Sequence, residues 1–409
     1  MKTLLFAPET FNLAETTRMI ETAKKCRHAA NCVFMGYSTK FSAFIEEEGF
    51  SFFLLSPELS EADVTAIMQF DQMKTFKNPF TYRVLRQRVE SELTLIDQIQ
   101  PNGIIIGSTV SLFISARVRD IPLIYVKPYA YSRPHIESLN FMHKWPLPIR
   151  KIVRHTALHI TWLPKSFRRL IKEYQLQDVF KYTIDFPDGD LNCITTPKLL
   201  TNNHQLSTGY VYTGPIFARL NREVPEEIIE LANTGKMPLI YFSMGSSANQ
   251  EIVLAILKHL AAMPFHVISP MKSYLTEKQQ DELSETIHLY DWLPALEVNQ
   301  LVDACIIHGG EGTVQTAYLA GKPFIGIGLQ AEQDYNISCC AVYGNAIKLT
   351  RKELAGRAFF QQKINELIEC PRYSEQAVKL KNELENSEGA LCAAEQILAF
   401  CEINTGVSV

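Results

Sequence analysis

A histidine followed by a run of glycines carries the clearest chemistry in this sequence. Residues 305–307 are apolar and predict a buried strand, which leads into His308-Gly309-Gly310-Glu311-Gly312-Thr313. A helix is expected to follow as far as about Ala320. Glycines let a backbone approach a ligand closely, and the first turn of a helix offers N–H groups to an anion. The turn therefore suits a diphosphate contact, and the alternative is an ordinary strand–turn–helix corner with a buried histidine.

Two common phosphate-binding patterns are absent from this turn. It matches neither G-x-G-x-x-G nor G-x-x-x-x-G-K-[ST], so neither a dinucleotide fingerprint nor a P-loop is predicted. Other residues recur at fixed distances instead: Trp292-Leu293-Pro294-Ala295 precedes the turn, while Gly321-Lys322-Pro323 and Glu332-Gln333 follow it. This long, spaced pattern resembles the donor signature of the inverting UDP-glycosyltransferases of the GT-B fold, which include bacterial macrolide and antibiotic glycosyltransferases.

The resemblance implies a role for each residue of the pattern. Trp292 would stack on a pyrimidine base, and Glu332 and Gln333 would bond the sugar hydroxyls. The diphosphate would be bound by His308 and by the start of the following helix, with a second phosphate-side loop at 243–247. The donor-binding residues expected on this basis are Gly245, Ser246, Trp292, His308, Gly309, Gly310, Gly312, Thr313, Thr316, Glu332 and Gln333.

Two positions depart from the family pattern on the donor side. Ala295 stands where the family has a glutamine that contacts the base, so dTDP is an alternative to UDP. Thr316 stands where an acidic residue usually bonds the ribose hydroxyls, and a threonine offers one hydroxyl in place of a bidentate carboxylate. We therefore expect the ribose to be held differently.

The catalytic base is less well defined. Inverting transfer needs a group that takes the proton from the acceptor hydroxyl, and the resembled enzymes use a histidine just after the first strand. Phe11 occupies that position here. Glu9 and Glu15 lie nearby, and either carboxylate would serve if burial raised its pKa. The alternatives are an exposed loop acid at Glu9, a helix-start charge at Glu15, and a base supplied from elsewhere or by the substrate.

Length and composition fit a two-domain enzyme. A chain of 409 residues exceeds what one core organises, and 46% hydrophobic with 21% charged residues is ordinary for a globular protein. The nine cysteines form no C-x-x-C pair, which indicates free thiols and a cytoplasmic location. No signal peptide or membrane-spanning run is predicted, and neither is a metal site or a cofactor beyond the nucleotide-sugar substrate.

Short apolar runs alternate with helix-period segments, which predicts parallel sheets covered on both faces. The fold class expected is α/β, a GT-B fold of two Rossmann-like domains facing across a cleft. We place an acceptor domain at 1–213, a donor domain at 214–385, and a helix at 386–409 that returns to the first domain. A single helical stretch is expected from Gln376 to Phe400. Residues 1–213 have 25 Lys and Arg against 20 Asp and Glu, and the remainder has 15 against 24.

The segment 144–172 has eight Lys and Arg, no Asp or Glu, and interleaved apolar residues. It suits an anionic acceptor or peripheral contact with a membrane, and the alternative is a helical pair with a solvated basic face. Nucleic acid is not predicted as a partner, because the chain is acidic overall and lacks a recognised module.

The function expected is transfer of a sugar from a UDP- or dTDP-sugar to a hydroxyl-type group of a small molecule or lipid, with inversion. One alternative is a nucleotide-sugar epimerase or hydrolase of the same fold. Another is a non-catalytic relative that binds a nucleotide sugar. The sequence leaves the sugar, the acceptor and the oligomeric state open.

Overall fold

The computed structural model describes residues 1–72, 74–139, 145–202, 205–217, 223–245 and 248–402. The chain divides into two compact units. Unit 1 comprises Met1–Ala218 with Glu388–Val409, and unit 2 comprises Arg219–Ser387. None of the described helices is long and apolar enough to cross a lipid bilayer.

Unit 1 is built on one parallel sheet. Its strands are β1 (Lys2–Ala7), β2 (Ala30–Gly36), β3 (Ser51–Leu54), β4 (Gly103–Ile106), β5 (Leu123–Lys127), β6 (Leu191–Ile194) and β7 (Tyr210–Tyr212). Within the described residues they form a seven-stranded sheet in the order β3-β2-β1-β4-β5-β6-β7. All neighbouring pairs run parallel. Strands β4, β5 and β6 are buried along their whole length, which fits their mostly apolar sequences; Lys127 in β5 and Asn192 in β6 are the polar exceptions.

The helices of unit 1 bury apolar stripes against this sheet. They are α1 (Leu13–Cys26), α2 (Ser42–Glu47), α3 (Glu61–Asp71), α4 (Tyr82–Ile99), α5 (Leu112–Val118), α6 (Arg133–Ser138), α7 (Leu147–His159), α8 (Lys165–Glu173) and, from the end of the chain, α18 (Gly389–Phe400). Helix α4 starts at a Thr81 cap whose hydroxyl accepts from Val84 N, and it ends before Pro101. Its Leu85, Val89 and Ile96 face the core at helical spacing.

The last helix belongs to the core of unit 1. Helix α18 packs against α1, and its Ala393, Ala394 and Ile397 share one apolar cluster with Met19 and Ile20. Its first residue is glycine for a steric reason, because a Cβ on Gly389 would lie 2.1 Å from the Pro215 carbonyl oxygen.

Unit 2 repeats the same architecture with fewer strands. Its strands are β8 (Leu239–Ser243), β9 (His266–Ser269), β10 (Ile287–Leu289), β11 (Ala304–Ile307), β12 (Phe324–Ile327) and β13 (Ala346–Leu349). The described residues form a six-stranded sheet in the order β10-β9-β8-β11-β12-β13, again with every pair parallel. The helices are α9 (Glu226–Thr234), α10 (Gln250–Leu260), α11 (Glu277–Asp281), α12 (Ala295–Leu301), α13 (Glu311–Leu319), α14 (Ala331–Tyr343), α15 (Arg351–Leu354), α16 (Arg357–Glu369) and α17 (Pro371–Leu384).

One expectation about the end of the chain is wrong. The sequence predicts a single helical stretch from Gln376 to Phe400, whereas the structure has α17 and α18 separated by residues 385–388. Asn386 and Ser387 are weak helix formers because their short polar side chains compete for backbone hydrogen bonds. The backbone N–H of Ser387 turns back to donate to the Leu384 carbonyl oxygen, 2.9 Å away.

Each sheet has one point at which the chain order reverses. In unit 1 this point lies between β1 and β4, since β2 and β3 are added on one side of β1 and the later strands on the other. In unit 2 it lies between β8 and β11. Ligands of open parallel sheets bind outside the carboxyl ends of the strands at such switch points. The residues that follow β1, β4, β8 and β11 are therefore the ones to inspect.

Candidate functional site

The switch point of unit 2 brings together the histidine turn and the loop after β8. His308 follows β11 directly, and Gly245 lies two residues beyond the end of β8. Gly245 adopts φ +56° and Gly309 adopts φ +84°, both in the region that favours glycine. The Tyr274 hydroxyl donates to the Gly245 carbonyl oxygen at 3.2 Å and supports the loop. Ser246, expected on the same loop, lies outside the described residues.

The imidazole of His308 lies against the backbones of two glycines. A Cβ added to Gly245 would come within 2.4 Å of His308 Cε1, and a Cβ added to Gly310 would come within 2.4 Å of His308 Nε2. Burial disfavours the imidazolium and lowers the pKa of His308 to about 4, while a hydrogen bond with the Ser243 backbone opposes this shift. The side chain is therefore a neutral imidazole near pH 7, with one ring nitrogen able to donate.

The start of α13 supplies backbone donors beside this histidine. Gly310 is the residue before the helix, and no side chain caps the helix start. Thr313 donates both its backbone N–H (3.0 Å) and its hydroxyl (2.8 Å) to the Gly310 carbonyl oxygen, so both donors are engaged within the turn. The N–H of Gly312 lies in the first helical turn, whose N–H groups have no acceptor within the helix. Of the donors expected here, Gly312 is the one best placed to meet an anion.

Glu332 and Gln333 lie in the first turn of α14, and both are buried. Gln333 accepts from Leu329 N at 2.9 Å and donates to Gln330 Oε1 at 2.7 Å, which fixes the loop after β12. Glu332 accepts a hydrogen bond from Asn336 Nδ2. Gln333 therefore holds the loop after β12 in place, and Glu332 is held by Asn336.

Asn336 connects the acidic pair to the histidine turn, and sequence reasoning missed it. Its Nδ2 donates to Glu332 and also to the Gly309 carbonyl oxygen, 3.1 Å away. Glu332 and Asn336 are four residues apart on α14, which places them on one helix face. This four-residue spacing was the sequence signal that could have identified Asn336.

Thr316 is tied into the helix pair α12–α13. Its hydroxyl donates to the Thr313 carbonyl oxygen at 3.1 Å and accepts from Asn299 Nδ2 at 3.2 Å. Asn299 is fully buried, so this pair holds the two helices together. The Thr316 side chain has a structural partner whether or not a ribose binds.

Trp292 lies on the segment between β10 and α12, with 37% of its surface exposed. It follows the carboxyl end of β10, and this strand lies beyond β9 on the β8 side of the switch point. Leu293 and Pro294 behind it are buried. The segment is thus anchored while the indole keeps an accessible face.

The two candidate carboxylates of unit 1 lie at its own switch point, where they have different partners. Glu15 Oε1 accepts from Glu9 N at 2.7 Å and from Ser108 N at 2.8 Å, and Glu15 Oε2 accepts from the Ser108 hydroxyl at 2.6 Å. Burial raises the pKa of Glu15, while the Ser108 hydroxyl opposes the shift. A Cβ on Gly107 would come within 2.1 Å of Glu15 Oε1, so glycine is required there.

Glu9 instead forms a buried ion pair. Its Oε1 lies 2.8 Å from Arg88 Nη2, and the guanidinium of Arg88 has no exposed surface. Arg88 also stacks on the Tyr37 ring at 3.7 Å from the ring centroid. The Tyr37 hydroxyl donates to Glu92 Oε1 at 2.7 Å.

Sequence reasoning missed this network as well. Arg88 and Glu92 are four residues apart on the same face of α4 as the buried Leu85 and Val89. Two charged residues on an apolar stripe were the signal that could have found them.

Comparison with known proteins places these features among glycosyltransferases. Residues 192–385 match the family described as UDP-glucoronosyl and UDP-glucosyl transferase. A rhamnosyltransferase of PGL/p-HBAD biosynthesis from Mycobacterium bovis BCG is 24% identical over 285 residues, which cover 67% of this chain and 62% of that protein. The chain thus spans less than two thirds of the length of that relative.

Solved structures resemble the chain over nearly its whole length. The calicheamicin glycosyltransferase CalG4 superposes with a TM-score of 0.68 at 16% identity, covering 98% of this chain and 99% of CalG4. The glycosyltransferase VinC, solved in complex with dTDP, superposes with a TM-score of 0.70 at 12% identity, covering 99% and 100%. At such identities the likeness shows the fold, which is the GT-B fold of two Rossmann-like domains.

Proposed function

We propose that this chain of GT-B fold, whose residues 192–385 match the UDP-glucoronosyl and UDP-glucosyl transferase family, is an inverting glycosyltransferase. It transfers a sugar from a UDP- or dTDP-sugar to a hydroxyl group of a small-molecule or lipid acceptor. The observation that carries the proposal is the histidine turn at the unit 2 switch point, where His308 lies between Gly245 and Gly310. The arrangement offers backbone donors and a neutral imidazole to a diphosphate.

The diphosphate is the leaving group, and its negative charge grows as the glycosidic bond breaks. A hydrogen bond from His308 and one from the Gly312 N–H strengthen as that charge develops, so they lower the barrier. Each such bond to a charged group is worth about 1.5–3 kcal/mol. Trp292 stacks on the base in this proposal, while Glu332 and Gln333 bond the sugar hydroxyls.

We assign the general base to Glu15. Its raised pKa favours uptake of a proton, and each carboxylate oxygen can accept two hydrogen bonds. The acceptor hydroxyl gives its proton to Glu15 Oε2, its oxygen attacks the anomeric carbon, and the bond from that carbon to the diphosphate oxygen breaks. Glu9 then has a positioning role, because its backbone N–H donates to Glu15 while Arg88 holds its side chain.

The acceptor and the location are further parts of the proposal. The Mycobacterium relative is named for PGL/p-HBAD biosynthesis, and the basic segment 144–172 suits an anionic acceptor or a peripheral membrane contact. Lys144 of this segment lies outside the described residues. All nine cysteines are free thiols, which supports a cytoplasmic location.

The experiment is incubation with UDP- and dTDP-sugars, with and without hydroxyl acceptors, while nucleotide release is followed. Release that depends on an acceptor is the expected result, and product analysis gives the anomeric configuration. Release without an acceptor would instead indicate a hydrolase or epimerase, and binding without turnover a non-catalytic relative. His308→Ala should lose donor binding or turnover while keeping its thermal stability. Nucleotide titration equal to that of the wild type would remove the diphosphate assignment.

A further inference from the structure

Residues 145–172 of unit 1 leave several large apolar side chains in solvent. Trp145, Leu147, Ile152 and Trp162 have 54%, 60%, 66% and 63% of their surface exposed. Helix α7, which carries part of this segment, has no buried residue. Single exposed apolar residues are ordinary, whereas several large ones on one short segment indicate an interaction surface.

The orientation of α7 explains which side chains are exposed. Its half-buried Arg150, Val153 and Ala157 recur at helical spacing and lie toward the protein, where α7 packs against α6 and against residues 183–185. Ile149 and Ile152 lie on another face of the same helix. That face therefore points outward, with Ile149 39% and Ile152 66% exposed.

The segment after α7 continues the apolar surface. The Ile160 carbonyl oxygen accepts from Thr183 N at 2.7 Å, and the Trp162 carbonyl oxygen accepts from the Thr183 hydroxyl. The backbone is thus fixed while both side chains remain exposed. Trp162 lines a cavity of about 310 Å³ together with Phe76, which is 93% exposed, and with Lys165.

The charge of this surface is of one sign. The described part of the segment carries seven basic residues and no acidic one: Arg150, Lys151, Arg154, Lys165, Arg168, Arg169 and Lys172. Six of these seven are exposed, and Arg150 is half-buried. Tryptophan favours the headgroup region of a bilayer, and basic side chains beside it reach anionic headgroups. A second copy of the chain would present the same positive charge, so a symmetric dimer through this face is disfavoured.

We propose that residues 145–172, together with Phe76, form a docking surface for a bilayer that contains anionic lipids. Trp145, Ile152, Trp162 and Phe76 enter the boundary between headgroups and acyl chains, and the basic residues contact the headgroup phosphates. The attachment is peripheral. It would bring the protein to acceptors that reside in a membrane, although lipid binding itself does not depend on the proposed sugar transfer.

The test is co-sedimentation of the full chain with vesicles, without any donor sugar. We expect binding to vesicles of equal parts phosphatidylglycerol and phosphatidylcholine, with affinity falling as salt rises. Each basic residue near an anionic surface contributes about fivefold to affinity. Lys151→Glu with Lys172→Glu should therefore weaken binding by more than about tenfold. Ile152→Ser with Trp162→Ser should weaken it by about tenfold or more.

Matched controls come from unit 2. Lys236→Glu with Lys352→Glu makes the same charge change at two exposed lysines, and Val342→Ser removes a valine that is 73% exposed. These variants should bind vesicles like the wild type. The proposal is overturned if the wild type does not sediment with anionic vesicles, or if test and control variants lose equal affinity. It is also overturned if Ile152→Ser changes the oligomeric state in sedimentation velocity and leaves vesicle affinity unchanged. A failed transfer assay would leave this result intact, because no sugar is present.

Discussion

The two switch points of this molecule share a topology and differ in chemistry. In unit 1 the loops after β1 and β4 surround the carboxylates of Glu9 and Glu15. In unit 2 the loops after β8 and β11 surround a neutral imidazole and glycine backbone. In the proposed reaction the first arrangement accepts a proton, whereas the second donates hydrogen bonds to the diphosphate. On this proposal, equivalent positions of the two parallel sheets perform different parts of the reaction.

Burial acts on both sites in the same direction, toward the neutral form. It raises the pKa of Glu15 and lowers the pKa of His308 to about 4. A raised pKa makes Glu15 a stronger proton acceptor. The pKa of the neutral His308 can rise when a diphosphate binds beside it. The comparison therefore predicts that substitution of Glu15 changes turnover without changing donor affinity, while substitutions at the histidine turn change donor affinity as well.

The largest effect is expected for Glu15→Gln, which tests the proton-accepting half of the comparison. Loss of a general base should lower kcat by about 10²–10⁴-fold, with nucleotide affinity unchanged. The measurement is kcat at saturating donor together with a nucleotide titration. Glu47→Gln, at an exposed site on α2, is the control and should behave like the wild type. Wild-type kcat in Glu15→Gln would remove this residue as the base.

Arg88→Met should produce the next largest effect, on stability. It leaves the Glu9 carboxylate buried without its cation, and breaking such a pair costs about 3–5 kcal/mol of unfolding free energy. Denaturant unfolding measures the change. Arg86→Met, on the exposed side of the same helix, is the control and should change stability little. The double variant Glu9→Gln with Arg88→Met should recover part of the loss. A double variant no more stable than Arg88→Met would show that the pair does not hold the β1–α1 loop.

Gly310→Ala tests the unit 2 site, which is proposed to donate hydrogen bonds to the diphosphate. The added Cβ would approach His308 Nε2 to 2.4 Å and displace the ring, because the site is tightly packed. Overpacking of this kind costs about 1–3 kcal/mol, so nucleotide affinity should fall about tenfold or more by calorimetric titration. Gly356→Ala is the control, since Gly356 also precedes a helix and its Cβ would meet only ordinary contacts at 3.6 Å. Equal affinities in the two variants would contradict contact between the ring and the diphosphate.

The sequence predicted the fold of both units, and the donor-binding roles of its residues stay predictions. The strand at 305–307 and the helix that ends at about Ala320 were predicted because an apolar run and a glycine-rich turn are local signals. The histidine turn was also predicted, since its glycines meet steric demands made by near neighbours. The pairing of Glu9 with Arg88 was missed because it joins residues 79 positions apart. The link from Asn336 to Gly309 was missed for the same reason, since it joins α14 to a loop 27 residues earlier.

The smallest expected effect is a pH dependence of donor affinity. It distinguishes the two sites, because it is expected to depend on His308 and not on Glu15. A diphosphate beside His308 favours the imidazolium, so nucleotide binding should raise the pKa of this residue above about 4. Between about 4 and the raised value, binding takes up a proton. Affinity therefore falls as pH rises through this window, by at most about tenfold for each unit by which binding raises the pKa. Above the window the affinity does not change with pH. Calorimetry in two buffers of different ionisation enthalpy measures the proton uptake.

The control for this pH dependence is His308→Asn, which keeps a donor but cannot titrate, so what remains is the titration of the nucleotide phosphate itself. Glu15→Gln should leave the pH profile of binding unchanged, because its carboxylate acts on turnover. A profile that changed in Glu15→Gln and persisted in His308→Asn would reverse the assignment of the two sites.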